Sequence, residues 1–205
     1  MYKGEKFNTI SHLLGAVFAI VATSILVTMA GMKGDAWKII GFSVYGAMMI
    51  FLYLSSTIYH WVKGPWKDLF RLLDYISIYL MIAGSYTPFT LVILTGVWRW
   101  TIFSVIWGLA FVGILQEILI GKKTRILSLI LYVLMGWLIV VATGPILENL
   151  PRQGFHWLVA GGIFYTAGVG VFVFDEKIPH GHGIWHLFVL AGTVCHFACL
   201  VGFVI

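Results

Sequence analysis

Residues 179–205 read PHGHGIWHLFVLAGTVCHFACLVGFVI, and the fold follows from how this stretch divides. From Gly183 to Ile205 it holds no Asp, Glu, Lys or Arg. A helix over that segment, rising about 1.5 Å per residue, is long enough to cross a hydrocarbon layer about 30 Å thick. His182 and His186 stand at its entrance. Their i, i+4 spacing puts both imidazoles on one helical face, where they can grip a single metal ion.

Six more apolar runs of membrane-spanning length lie upstream: Ile10 to Met32, Ile39 to Val62, Tyr75 to Trp98, Trp100 to Ile120, Ile126 to Leu147 and Phe155 to Phe174. All are free of charge except the fourth, which holds Glu117. Hydrophobic residues make up 60% of the chain and charged residues 10%, with a mean hydropathy of +0.98. Soluble domains carry about 25% charged residues. The sequence therefore predicts an all-α polytopic membrane protein, a seven-transmembrane helix bundle in which residues 1–205 form one domain with short loops. The first apolar stretch is too long for a cleavable signal and lacks a small-residue cleavage pattern.

Seven spans put the termini on opposite sides. The N-terminal side collects Lys3, Lys6, Lys63, Lys67, Arg71, Lys122, Lys123, Arg125 and Lys177, and the other side Lys33, Lys38, Arg99 and Arg152. Positive residues stay on the cytoplasmic side, so this bias predicts a cytoplasmic N-terminus and an external C-terminus. It also accounts for the basic balance without nucleic acid as a partner. Trp61, Trp66, Trp98, Trp100 and Trp157 fall near span ends, as interfacial anchors do. Ser11, Gly15, Ala19 and Thr23 on the first span, and Gly162, Thr166 and Gly170 on the sixth, are expected to be helix contacts rather than cavity walls. Pro88 and Pro145 should loosen the third and fifth spans. Cys195 and Cys199 form no C-x-x-C pair, so no thiolate metal site or disulfide framework is indicated.

This topology brings distant polar residues to one depth. His60 ends the second span, Asp74 opens the third, and His182 and His186 open the seventh, all toward the N-terminal face. Ser56 lies one turn deeper than His60. The reading is a zinc site with ligands His60, His182 and His186, leaving a fourth position for water as catalytic sites do. Several first-row ions also suit imidazole ligands. Asp74 would hold the water and act as general base, and Ser56 would donate a hydrogen bond to it, to Asp74 or to a developing oxyanion. Glu117 is expected in an interfacial ion pair with Lys122 and Arg125. His12 is expected to pack or cap, His180 to lie in the loop, and Asp175 and Glu176 to be solvated loop charges. His196 is expected toward the outer half, beyond reach of the site, and His156 on the outer side.

Ser56-x-x-x-His60, Asp74 and His182-x-x-x-His186 together resemble the progestin and adiponectin Q receptor family. Glu5-x-x-Asn8-x-x-Ser11-His12-x-x-Gly15 is similar to its bacterial branch, the hemolysin III proteins. The resemblance implies seven helices, an intramembrane zinc near the cytoplasmic face, residence in the bacterial cytoplasmic membrane, and ceramidase-like hydrolysis of a lipid amide. The expected function is a zinc-dependent hydrolase of a membrane lipid amide or ester, with lipid as substrate or bound ligand and a homo-oligomer left open. The alternatives are a pore-forming, cytolytic or channel protein, and a signalling or membrane-homeostasis protein with structural zinc. A pore needs polar side chains through the full bilayer, whereas the ionisable groups here crowd one third of it.

Overall fold

A computed structural model describes residues 1–2, 4–120 and 125–205, apart from the side chain of Arg125. Among these residues there is no strand. Seven helices are long and apolar enough to cross a membrane: Glu5–Lys33, Ala36–Trp61, Trp66–Ile93, Gly96–Leu119, Ile126–Asn149, Arg152–Val173 and Gly181–Val204. The α-helical parts are α1 (Lys6–Lys33), α2 (Ala36–Trp61), α3 (Trp66–Pro88), α4 (Gly96–Leu119), α5 (Arg125–Trp137), α6 (Thr143–Asn149), α7 (Arg152–Val173) and α8 (Gly181–Cys199). The third span is the most buried and the fifth the least, so α3 sits centrally and α5 at the periphery.

Both prolines disturb their helices as expected. α3 ends at Pro88 and widens into a π-helical turn over Phe89–Ile93. The fifth span tightens to a 3-10 helix over Leu138–Ala142 before α6 restarts with Pro145 in its first turn, where the missing N–H is not needed. Tyr86 repairs the break. Its hydroxyl faces the Met135 and Gly136 carbonyls at 2.7 and 2.9 Å and accepts from the Ile139 N–H at 2.9 Å.

The third span starts earlier than its first uncharged residue suggested. α3 begins at Trp66, with Asp68 in its first turn and paired to Arg71 at 2.8 Å. A carboxylate there suits the helix dipole, and an i, i+3 pair lets charged residues occupy helical turns that hydropathy alone assigns to a loop. Asp74 therefore does not open the span. It lies two turns inside α3 and is buried.

Small residues set the helix spacing. On α1, Gly15 faces the Tyr53 ring so closely that a Cβ would collide with it, and Ser11 and Ala19 are buried on the same row. Thr23 fills the notch at Gly46 of α2. On α7 the expected row behaves otherwise. Gly162 and Thr166 line a cavity, Trp137 Nε1 donates to Thr166 Oγ1 at 2.9 Å, and Gly170 meets nothing. The tight α7–α8 seam instead uses Gly154, Gly161 and Gly168, against Phe203, His196 and Phe188. Cys199 Sγ donates to the Gly154 carbonyl across it.

Glu117 is buried near the end of α4 and accepts a hydrogen bond from Ser128 on α5. Its expected partner Lys122 and the side chain of Arg125 lie outside the described residues. His180 precedes α8 in a left-handed conformation (φ 59°), outside the helix as expected.

Overpacking of a filled core typically costs about 1–3 kcal/mol. Gly15→Ala should therefore lower the thermal unfolding temperature of detergent-purified protein by several degrees. Gly170→Ala, with open space around it, should leave that temperature unchanged or raise it.

Candidate metal centre

α2 and α8 bring three imidazoles together from opposite ends of the chain. One potential ligand atom from each of His60, His182 and His186 lies within 4.8 Å of the other two. Ring centroids are separated by 5.1 Å for His60–His182, 5.0 Å for His60–His186 and 4.8 Å for His182–His186. His60 and His186 are buried, and His182 is partly so.

The proton positions follow from the partners. His60 Nδ1 meets Glu5 Oε2, and His182 Nδ1 meets Asp175 Oδ2 at 2.9 Å. His186 Nδ1 lies 3.2 Å from the Asn8 carbonyl and 3.0 Å from Ser11 Oγ. Ser11 spends its own proton on the Asn8 carbonyl at 2.9 Å. Carboxylates and carbonyls only accept, so each Nδ1 carries a hydrogen, and in the neutral imidazole each Nε2 then keeps its lone pair. All three Nε2 atoms are buried and have no protein partner. An imidazole held by an oxygen on one nitrogen and bare on the other is the arrangement of a metal ligand. The residues fit a divalent ion. Glu5 and Asp175 also place two negative charges just behind neutral ligands, which offsets the charge such an ion would bring into a low-dielectric setting.

The chain builds this surround locally. Glu5 immediately precedes α1 and is further held by Asn8 Nδ2 at 3.0 Å and by Lys67 Nζ at 3.4 Å. Phe7 and Asn8 pack against Gly183, where a Cβ would collide. The turn before α8 folds so that the Asp175 carbonyl sits against Gly181, which aims the Asp175 carboxylate at His182. Asp175 is thus a site residue and not a solvated loop charge.

Asp74 and Ser56 reach the centre from α3 and α2. Both are buried, and the Ser56 hydroxyl faces the Asp74 carboxyl without a hydrogen bond of ordinary geometry. His12, expected to pack or cap, packs against the centre itself. Its ring stacks on His186 with centroids 3.5 Å apart and meets Tyr53 edge-on at 5.1 Å. Neither of its nitrogens has a partner. The Glu5-x-x-Asn8-x-x-Ser11-His12 run was visible in the sequence, but i, i+3 and i, i+4 spacing alone does not reveal that this face of α1 covers α8.

A cavity of about 160 Å³ lies beside this centre, lined there by His12, Asp74 and Trp185 and not by the three clustered histidines themselves. It begins at His12 and Asp74 and runs between α3, α5, α7 and α8 past Met81, Val133, Val159 and Val189 to Phe89 and His196. Its walls are largely apolar.

Fold and site thus define a heptahelical membrane protein with a largely buried three-histidine cluster able to hold a metal ion. The chain belongs to the haemolysin-III related family, whose model matches residues 1–197. It is 44% identical to hemolysin-3 of Bacillus cereus over 204 residues, covering 99% of this chain and 93% of that protein. It is 40% identical to the hemolysin-3 homolog of Bacillus subtilis (strain 168) over 200 residues, covering 97% and 93%. The human monocyte to macrophage differentiation factor is 31% identical over 201 residues, covering 93% and 80%.

Loss of an outer-shell partner typically lowers metal affinity 10–100-fold. Glu5→Gln and Asp175→Asn should each weaken zinc binding by roughly that factor in competition titrations with a chromophoric chelator. Lys33→Gln, far from the centre, should not.

Proposed function

We propose that the protein is a zinc-dependent hydrolase of a membrane lipid amide or ester. The observation that carries this reading is the position of Asp74, which lies close enough to His60 to feel its charge and also lines an apolar cavity that a hydrocarbon chain could occupy. A structural metal site needs no such space.

Zinc bound by the three Nε2 atoms would supply a polarised carbonyl and an acidified water. The protein's own residues do the rest. His60, His182 and His186 fix the reacting geometry, each ring locked through its Nδ1 hydrogen bond. Asp74 takes the proton from the attacking water and delivers it to the leaving nitrogen or oxygen, so that acid and amine or alcohol leave as a balanced pair. Ser56 hydrogen-bonds to Asp74 or to the oxygen that gains charge. The acyl chain lies in the cavity. It enters sideways where the least buried span, α5, meets α7 through the Trp137–Thr166 hydrogen bond. The excess of Lys and Arg on the N-terminal side supports a cytoplasmic location for this end of the molecule and insertion in the cytoplasmic membrane.

The names of the two Bacillus relatives add a lytic reading, which the same chemistry accommodates. Hydrolysis of bilayer lipid releases fatty acid and thins the barrier, so leakage would follow turnover rather than a protein pore.

In liposomes holding a ceramide and an ester-linked lipid, wild-type protein should release fatty acid from one of them. His186→Ala or chelation should abolish release, and Asp74→Asn should slow it about 10²–10⁴-fold. Dye leakage should appear only with release. Leakage that persists in His186→Ala without hydrolysis would replace the hydrolase with a pore.

A further inference from the structure

The cavity has a second polar end. His196 lines it on α8, ten residues beyond His186 and therefore about 15 Å further along the helix axis. It is only 8% exposed, and neither of its ring nitrogens has a partner in the protein. The Nε2–Cδ2 edge packs into the notch at Gly161 against the Leu158 carbonyl of α7, which Nε2 approaches without a hydrogen bond of ordinary geometry. Tyr165 and Phe89 meet the ring edge-on at 5.4 and 6.5 Å.

The neighbouring hydroxyls do not satisfy it. Thr193 donates to the Val189 carbonyl at 2.9 Å, and its oxygen is shared by Tyr53 at 2.8 Å and Tyr165 at 3.0 Å. These groups satisfy one another and leave His196 out. A neutral imidazole has one donor and one acceptor; the Leu158 carbonyl lies beside Nε2, but nothing meets the Nδ1 position, and leaving it unmet in an apolar interior is unfavourable. Packing alone does not require a nitrogen at this position. The metal centre cannot use it either, since it lies roughly three helical turns away.

We propose that His196 is the distal recognition group of the cavity, which takes a lipid carrying a second hydrogen-bonding group, of the hydroxylated acyl type, about 15 Å from its head. This rests on the reading of the cavity as a lipid site and not on hydrolysis. The head lies against His12 and Asp74, the chain follows the apolar wall, and the mid-chain hydroxyl meets His196.

The test uses two probes, octadecanoic acid and 12-hydroxyoctadecanoic acid, whose hydroxyl sits about 14 Å from the carboxyl in an extended chain with bonds near 1.5 Å. Binding is measured on the purified full chain in detergent, by displacement of a fluorescent fatty acid, with and without added zinc. Wild-type should prefer the hydroxylated probe about fivefold, the worth of one net hydrogen bond. His196→Phe should keep octadecanoic acid affinity and lose the preference, and His196→Gln should retain part of it. 2-Hydroxyoctadecanoic acid should be indifferent to both changes. Equal binding of the first two probes by wild-type, or a preference unchanged in His196→Phe, overturns the assignment while leaving the lipid cavity intact. Failure of both probes to bind overturns the lipid cavity itself.

Discussion

Three imidazole nitrogens with free lone pairs, held toward a common point inside an apolar bundle, are the constraint on which the rest of the structure depends. An unmet buried polar group costs about 1–3 kcal/mol, and three side by side are hard to keep without a shared partner. The protein does not soften that cost by turning the rings outward. It fixes them with Glu5, Asp175 and the Asn8–Ser11 pair, so that the bare side of each ring faces the others. A cation answers all three needs at once.

The remaining architecture serves this convergence. Gly183 lets the start of α1 lie against the start of α8, which carries Glu5, Asn8 and Ser11 to the far end of the sequence. Gly15 brings α1 onto α2 through Tyr53, and Tyr53 in turn touches His12 and Thr193. The central α3 places Asp74 two turns deep, where a carboxyl can serve chemistry rather than merely cap a helix. Where α5 is interrupted and packs loosely, a cavity remains. Trp137, Thr166 and Gly162 mark its side toward α7, so a row of small residues here borders a cavity rather than a neighbouring helix.

The seven spans and the three histidines were legible because each has a period or a run length that survives in one dimension. Apolar runs of bilayer length announce themselves, His182 and His186 share a helical face by spacing, and His60 falls at matching depth. The beginning of α3 was hidden because Asp68, Lys67 and Arg71 look like a loop until an i, i+3 pair is recognised. Asp175 was misjudged, and the partner on which His12 packs was hidden, for a different reason. Their roles come from a turn folding back on Gly181 and from α1 lying over α8, contacts across long sequence separation that leave no local trace. The α7 seam is the closest miss, since Gly154, Gly161 and Gly168 recur every seven residues in plain sight.

The most direct measurement is metal content with X-ray absorption on protein purified without added chelator and compared with His60→Ala. One zinc per chain is expected, with three imidazole nitrogens and one further oxygen or nitrogen at about 2.0–2.1 Å, and loss of that signature in the variant. Protein that folds normally yet holds no stoichiometric metal after zinc is supplied, or that binds it unchanged in His60→Ala, would contradict the shared centre.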